Sequence, residues 1–216
     1  MKTILKYLLA KLVCLWSHVY TYGRSQWLNK KINQLYTIWI RNFIGEVGEM
    51  SYFQYPVRLQ GGGQKRIRIG SRTSILAYSI LGCWERHGKD EHYEPEIIIG
   101  NDCSVGEYCH ITAINKIIIG DGLLTGRYVY IGDNAHGGLS WEEAEIPPAQ
   151  RHLTSKGEIR IGRNVWIGDK VSIFGGVTIG DNVIIGASSI VTHDIPSNSI
   201  VAGAPARIVK ELKFRK

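Results

Sequence analysis

Two periodicities divide the chain. Over residues 3–22, Leu5, Leu8, Leu9, Leu12 and Trp16 fall three or four apart, the spacing that lines one face of an α-helix. A second stretch, from about Ser25 to Phe43, repeats the stripe with Leu28, Ile32, Leu35 and Trp39, and Gly45 and Gly48 punctuate its end. From Ile67 the period becomes six. Aliphatic residues open hexads at Ile161, Ile167, Ile173, Ile179, Ile185 and Val191, and earlier ones open at Ile69, Ile75, Ile99, Val105, Ile111, Ile119, Thr125 and Ile131. A small or β-branched residue holds the fifth place: Cys103, Cys109, Val129, Ala135, Val165, Val171, Val177, Val183.

Each hexad reads as one short strand plus a turn, and three hexads as one triangular coil. Opening residues then stack into internal ladders, fifth-place residues point into the corners, and the glycine after each opener eases the turn. One coil cannot bury its own core, so stability must come from stacking. The predicted fold is mainly β: a left-handed parallel β-helix of hexapeptide repeats, with N-terminal α-helices and a short C-terminal capping helix. The expected division is 1–60 for the helical segment and 61–216 for the β-helix with its cap. Three breaks interrupt the repeat: a polar loop at 81–96, a two-residue insertion within Ala113–Ile118, and a long loop at 137–158. Long loops in a regular solenoid are often functional.

Charge sharpens this division. The net charge of +7 comes from residues 1–45, which hold Lys2, Lys6, Lys11, Arg24, Lys30, Lys31 and Arg41 and no acid. The remaining 19 basic residues are matched by 19 acidic ones. A neutral β-helix lacks the basic face of a nucleic-acid platform, so no nucleic-acid partner is expected. The basic N-terminal helices either bind an anionic membrane surface or pack against the β-helix or a partner subunit. Lys6 and Lys11 interrupt the first apolar run, so neither a leader peptide nor a transmembrane helix is expected. The four cysteines show no C-x-x-C pair and fit a reducing cytoplasm. Cys103 and Cys109 are expected as inward packing residues.

The ending Ile185-Gly-Ala-Ser-Ser-Ile-Val-Thr-His-Asp-Ile-Pro, followed by Ala202-Gly-Ala-Pro-Ala-Arg-Ile-Val-Lys, resembles the hexapeptide-repeat acyltransferases. The likeness is to galactoside, maltose and xenobiotic O-acetyltransferases and to enzymes that acetylate surface polysaccharides, and it covers about 67–212. It implies transfer of an acetyl group from acetyl-CoA to a sugar hydroxyl, with no metal. The sugar is a small molecule or is lipid-linked. It also implies a homotrimer in the cytoplasm, able to meet the inner face of the membrane through residues 1–45.

The histidine matching the family's general base is His136, in Gly132-Asp-Asn-Ala-His-Gly-Gly. The chemistry agrees: a hydroxyl is a poor nucleophile, and a neutral imidazole can take its proton and return it to the departing thiolate. Asp133 and Asn134 either orient the ring or make an Asx turn. Galactoside-type relatives show His-Pro where this chain has His-Gly. By the same resemblance, Trp166 lines the site of a neighbouring subunit or makes a plain subunit contact. Gly168, Gly186 and Ala187 leave room for the pantetheine arm. Thr192, His193, Arg207 and Lys210 match positions that hold the nucleotide end, where cations suit phosphate. Most relatives have Lys at the His193 position.

Three other readings stay open: a non-catalytic scaffold, an acyl-carrier-protein donor, and a metal-dependent hydratase. The last would use His87 and His92 with Asp90 and Glu91, but these lie in an irregular loop, where a solvated surface is the simpler account. His110 is expected at the surface.

Overall fold

The computed structural model describes residues 2–88, 91–138 and 140–212. Two helices come first, α1 (Lys2–Val19) and α2 (Tyr22–Arg41). Thr21 caps α2, its hydroxyl accepting from the Arg24 amide at 3.3 Å. From Glu46 onward the chain winds through three parallel sheets, each strand pairing with the strand one coil away. It is a left-handed parallel β-helix.

The core is the column of hexad openers. Ile69, Ile99, Ile119, Ile161 and Ile179 stand directly above one another in register. Equivalent columns run through Ile75 and Val105, and through Ile111, Ile131 and Ile173. All are buried. So are the corner residues Cys103, Cys109, Val129, Val165, Val171, Val177 and Val183.

Several expectations change. The coils start earlier than residue 61: strands Glu46–Val47, Tyr52–Phe53 and Arg58–Gln60 form a first coil on the next one. Where a capping helix was expected, Ala206–Glu211 is a strand running antiparallel to Ser199–Gly203. The β-branched pair Ile208-Val209 suits a strand, and a hairpin through Ala204-Pro205 lets it satisfy the open sheet edge. Ala135 does not point inward but is exposed, because the chain leaves the coil at Asp133.

The glycines after the openers have another purpose than the expected one. Gly100 and Gly120 do not carry positive φ; the residue two further on does, as at Asp102 (55°) and Gly122 (75°). What Gly100 provides is close approach, since a Cβ there would sit 2.8 Å from the carbonyl carbon of Gly120.

The helices differ from each other. No residue of α1 is buried. Helix α2 rests on the first coil through its C-terminal half: Thr37 and Ile40 are buried, and the Tyr36 hydroxyl donates to the Val57 carbonyl at 2.8 Å. The stripe read from the sequence, including Leu35 and Trp39, faces outward instead.

Candidate active site

The site begins with a single buried carboxylate. The coil of residues 110–130 is two residues longer than those that end the stack, and Ile114-Asn115 bulge from it. Asp133, on the next coil, closes this bulge by accepting from the amides of Ile114 at 2.9 Å and Asn115 at 3.0 Å. Burial pushes its carboxyl above the usual range, and those amides pull the other way. Asp133 is therefore engaged by the turn, and its side-chain hydrogen bonds go to Ile114, Asn115 and Asn134 and not to His136.

Past Asp133 the chain turns outward. Ala135–His136 pair antiparallel with Leu153–Thr154, at the two ends of the long loop. A short helix, α3 (Trp141–Ala144), is capped by Ser140, and Glu143 accepts from the Gly138 amide at 2.6 Å. This places His136 on a two-stranded shelf at the edge of the coil. The next residue, Gly137, has φ 70°. Proline is locked near −65° and cannot adopt that angle, so this turn requires the His-Gly found here and not His-Pro.

A second loop clamps the shelf. The segment after Cys83 forms a hairpin, Arg86–His87 against Glu91–His92, instead of a solvated loop. Glu91 accepts from the Leu153 amide at 3.2 Å, contacts His152 Nδ1 at 2.5 Å and accepts a hydrogen bond from the Tyr93 hydroxyl. The Tyr93 hydrogen bond is the main reason its carboxyl lies below the ordinary range. Of the residues weighed for a metal, Asp90 lies outside the described ones. Among the described residues no group of three His, Cys, Asp or Glu is arranged to hold a metal ion.

Together these elements enclose a cavity of about 440 Å³ against the coil face. Its walls include His136, Asn134, His87, His110, Trp84 and Tyr130. The rings of His87 and His136 are 5.4 Å apart and steeply tilted. Trp84 donates to the Thr112 hydroxyl at 3.1 Å, and Asn134 donates to the Thr112 carbonyl at 3.2 Å. His110 is half-buried against the edge of Tyr130, its pKa lowered by burial. Its Nε2 is buried without a hydrogen-bond partner. The ring of His110 lines the cavity, but this nitrogen is closed off from it in the single chain.

From the sequence, His87 was weighed only for a metal and His110 only as a surface residue. One lies in a hairpin outside the coils, the other one rung below an insertion, and only the fold brings them to His136. Asn134 lines this cavity and also an adjoining one of about 350 Å³, with Asp133, Phe174, Lys156 and Thr192. So Asn134 and Thr192 stand near His136.

The other cofactor candidates stand elsewhere. Trp166 is exposed in the sheet that contains Leu124 and Ile184. Gly168 meets Ala187 at the corner that follows, where a Cβ would come 2.6 Å from the Ala187 amide, and Gly186 meets Ala202. Arg207 and Lys210 are exposed on the final strand of that sheet. His193 is exposed and shares a 2.9 Å hydrogen bond with Thr192. None of these lines the His136 cavity within one chain.

Residues 158–193 match the family model for the bacterial transferase hexapeptide (six repeats). The chain is 36% identical over 119 residues to WbbJ of Escherichia coli K12, which is named as an O-acetyl transferase of lipopolysaccharide biosynthesis; the alignment covers 53% of this chain and 60% of that protein. It is 42% identical over 128 residues to galactoside O-acetyltransferase of the same organism, covering 57% of this chain and 58% of that one. The chain thus spans about three fifths of the length of these curated relatives. A solved hexapeptide-repeat acetyltransferase of Vibrio cholerae, complexed with acetyl-CoA, superposes with a TM-score of 0.52 at 25% identity, over 80% of this chain and 74% of that one.

Proposed function

We propose that the chain transfers an acetyl group from acetyl-CoA to a hydroxyl of a sugar, with His136 as general base, and that the product belongs to a surface polysaccharide. The observation that carries the reading is the shelf: His136 is set at the coil edge by backbone pairing and faces a cavity with His110 and Asn134. A relative named for lipopolysaccharide biosynthesis and another named as a galactoside O-acetyltransferase support the sugar. The acetyl-CoA complex of a neighbour supports the donor.

In this mechanism an unprotonated ring nitrogen of His136 takes the proton of the sugar hydroxyl. The oxygen attacks the thioester carbonyl, the carbon–sulfur bond breaks, and the proton passes to the coenzyme A thiolate. Phosphate-binding groups (Arg207 and Lys210, with Thr192 and His193) hold the nucleotide end, and Trp166, Gly168, Gly186 and Ala187 border the pantetheine path. Most of these lie on a different corner of the prism from His136, so a neighbouring copy supplies them, and the working unit is a C3 trimer. The reaction runs in the cytoplasm, where coenzyme A thioesters are made.

The test is release of free thiol from acetyl-CoA across a panel of methyl glycosides. Wild type releases thiol with at least one sugar, and His136→Ala loses about 10²–10⁴-fold, the usual worth of a general base. Undiminished transfer by His136→Ala overturns the assigned base. Transfer only from acetylated carrier protein overturns the assigned donor.

A further inference from the structure

We infer that α1 docks in the plane of an anionic bilayer surface. The inference stands on residues 2–41 alone and does not need the transferase reading.

The first observation is exposure. All of α1 lies outside the core, and residues as large as Leu5, Leu12, Leu15 and Trp16 are each more than 60% exposed. Monomeric proteins rarely leave so large a contiguous apolar face uncovered. The second observation is the width of that face. At about 100° per residue, Ile4, Leu15, Leu8, Val19, Leu12 and Leu5 follow one another around the axis, and Trp16, Leu9 and Val13 continue the arc. The arc spans about half the circumference. A coiled-coil partner would need only the narrow seam of two positions in seven, so a second copy of the helix is a poor match.

The third observation is charge. Lys6 and Lys11 fall at the two borders of the apolar arc, where a long side chain can lay its stem along the apolar surface and lift its ammonium clear. Helix α2 adds Arg24, Lys30 and Lys31, with Trp27, Leu35 and Ile38 exposed beside them. Residues 1–45 carry seven cations and no acid. A protein partner could take the apolar face, but the unbroken sign of charge favours a surface that is itself anionic. No helix among the described residues is long and apolar enough to cross a membrane. The occupant is therefore the interface, with α1 lying flat and its cations at the phosphate level.

The test is co-sedimentation of the full chain with vesicles of phosphatidylcholine alone and with about 30% phosphatidylglycerol, in low and in high salt. The expected result is binding to the anionic vesicles, at least about tenfold weaker on the neutral ones and weakened by salt. The double variant Leu8→Glu, Leu12→Glu abolishes binding with no change in sedimentation mass or thermal midpoint, since neither side chain is buried. Equal recovery with neutral vesicles, or none with either, overturns the inference. So does a double variant that binds as wild type. A double variant that falls apart into smaller species shows instead that α1 joins copies of the chain. None of these results bears on thiol release from acetyl-CoA, so failure here leaves the proposed activity standing.

Discussion

Asp133 concentrates much of the site in one side chain. Its carboxylate is 1% exposed and accepts two amides of the bulge beneath it. Asp133→Ala removes the acceptor of both amides; that of Ile114 is buried, and one buried orphan costs about 1–3 kcal/mol, while that of Asn115, an exposed residue, can turn to water. Urea unfolding should show a loss of that size, and a loss under 1 kcal/mol would mean that the bulge finds other acceptors. The raised carboxyl pKa fixes the sign of a pH effect as well. Because the folded value lies above the unfolded one, ionisation is less favourable in the folded state. The stability linked to this group is complete below the ordinary carboxylate pKa and declines as pH rises through the folded value. Asp133→Asn keeps one acceptor and cannot titrate, so this component of the pH profile should vanish. The sequence places Asp133 beside His136 and so suggests an orienting role. What it cannot show is that the acid at this position is claimed by an insertion one coil away.

At the scale of the element, the hexad makes the β-helix legible and the glycine column makes it stackable. Gly48, Gly70, Gly100, Gly120, Gly162 and Gly180 stand one above another, and a Cβ on any of them would meet the backbone of the next coil or its cap at 3.0 Å or less. The coils are tied by backbone hydrogen bonds on each side of this column, such as Gly100 N to the Ile119 carbonyl at 2.9 Å, so neither can step aside. Gly100→Ala should therefore lower stability by about 1–3 kcal/mol, the usual cost of overpacking. Gly23→Ala, in α2 with nothing within 4 Å, should be neutral or stabilising by up to about 1 kcal/mol. Equal effects in thermal or urea unfolding would argue against close approach as the reason for the column. The first coil was hidden from sequence reading for a related cause. Val47, Phe53 and Leu59 are spaced by six, yet only Val47 is followed by glycine, and the ten residues from Leu59 to Ile69 break the period, so the stretch looks like a loop. It becomes a coil by pairing with Ile67–Ile69, Ser74–Ile75 and Ile80–Cys83. The outward face of α2 was misread because the helix carries apolar residues on more than one face, and periodicity does not say which face the protein covers.

The whole molecule adds a constraint that no single coil contains. His136 stands at one corner of the prism, while Trp166, Gly168 and Ala187 belong to another sheet and the corner after it. If one active site needs both sets, the sites form between chains, and a closed three-fold ring satisfies every copy with the same contact. Sedimentation should then give three times the 24.2 kDa chain mass. Trp166 is 53% exposed and next to exposed Leu124 in the same sheet, so Trp166→Ala can impair transfer without unfolding the coil. The decisive measurement mixes two variants. His136→Ala and Trp166→Ala are each expected to be nearly inactive as pure assemblies. Refolded together in equal amounts, they should regain about a quarter of the wild-type sites, because a random ring then contains junctions where an intact His136 meets an intact Trp166. If each chain builds its own site, every site in the mixture carries one lesion or the other and nothing is recovered. Recovery near the expected fraction would place the reaction at the junction between copies, and its absence would mean that His136 and Trp166 serve a site built within one chain.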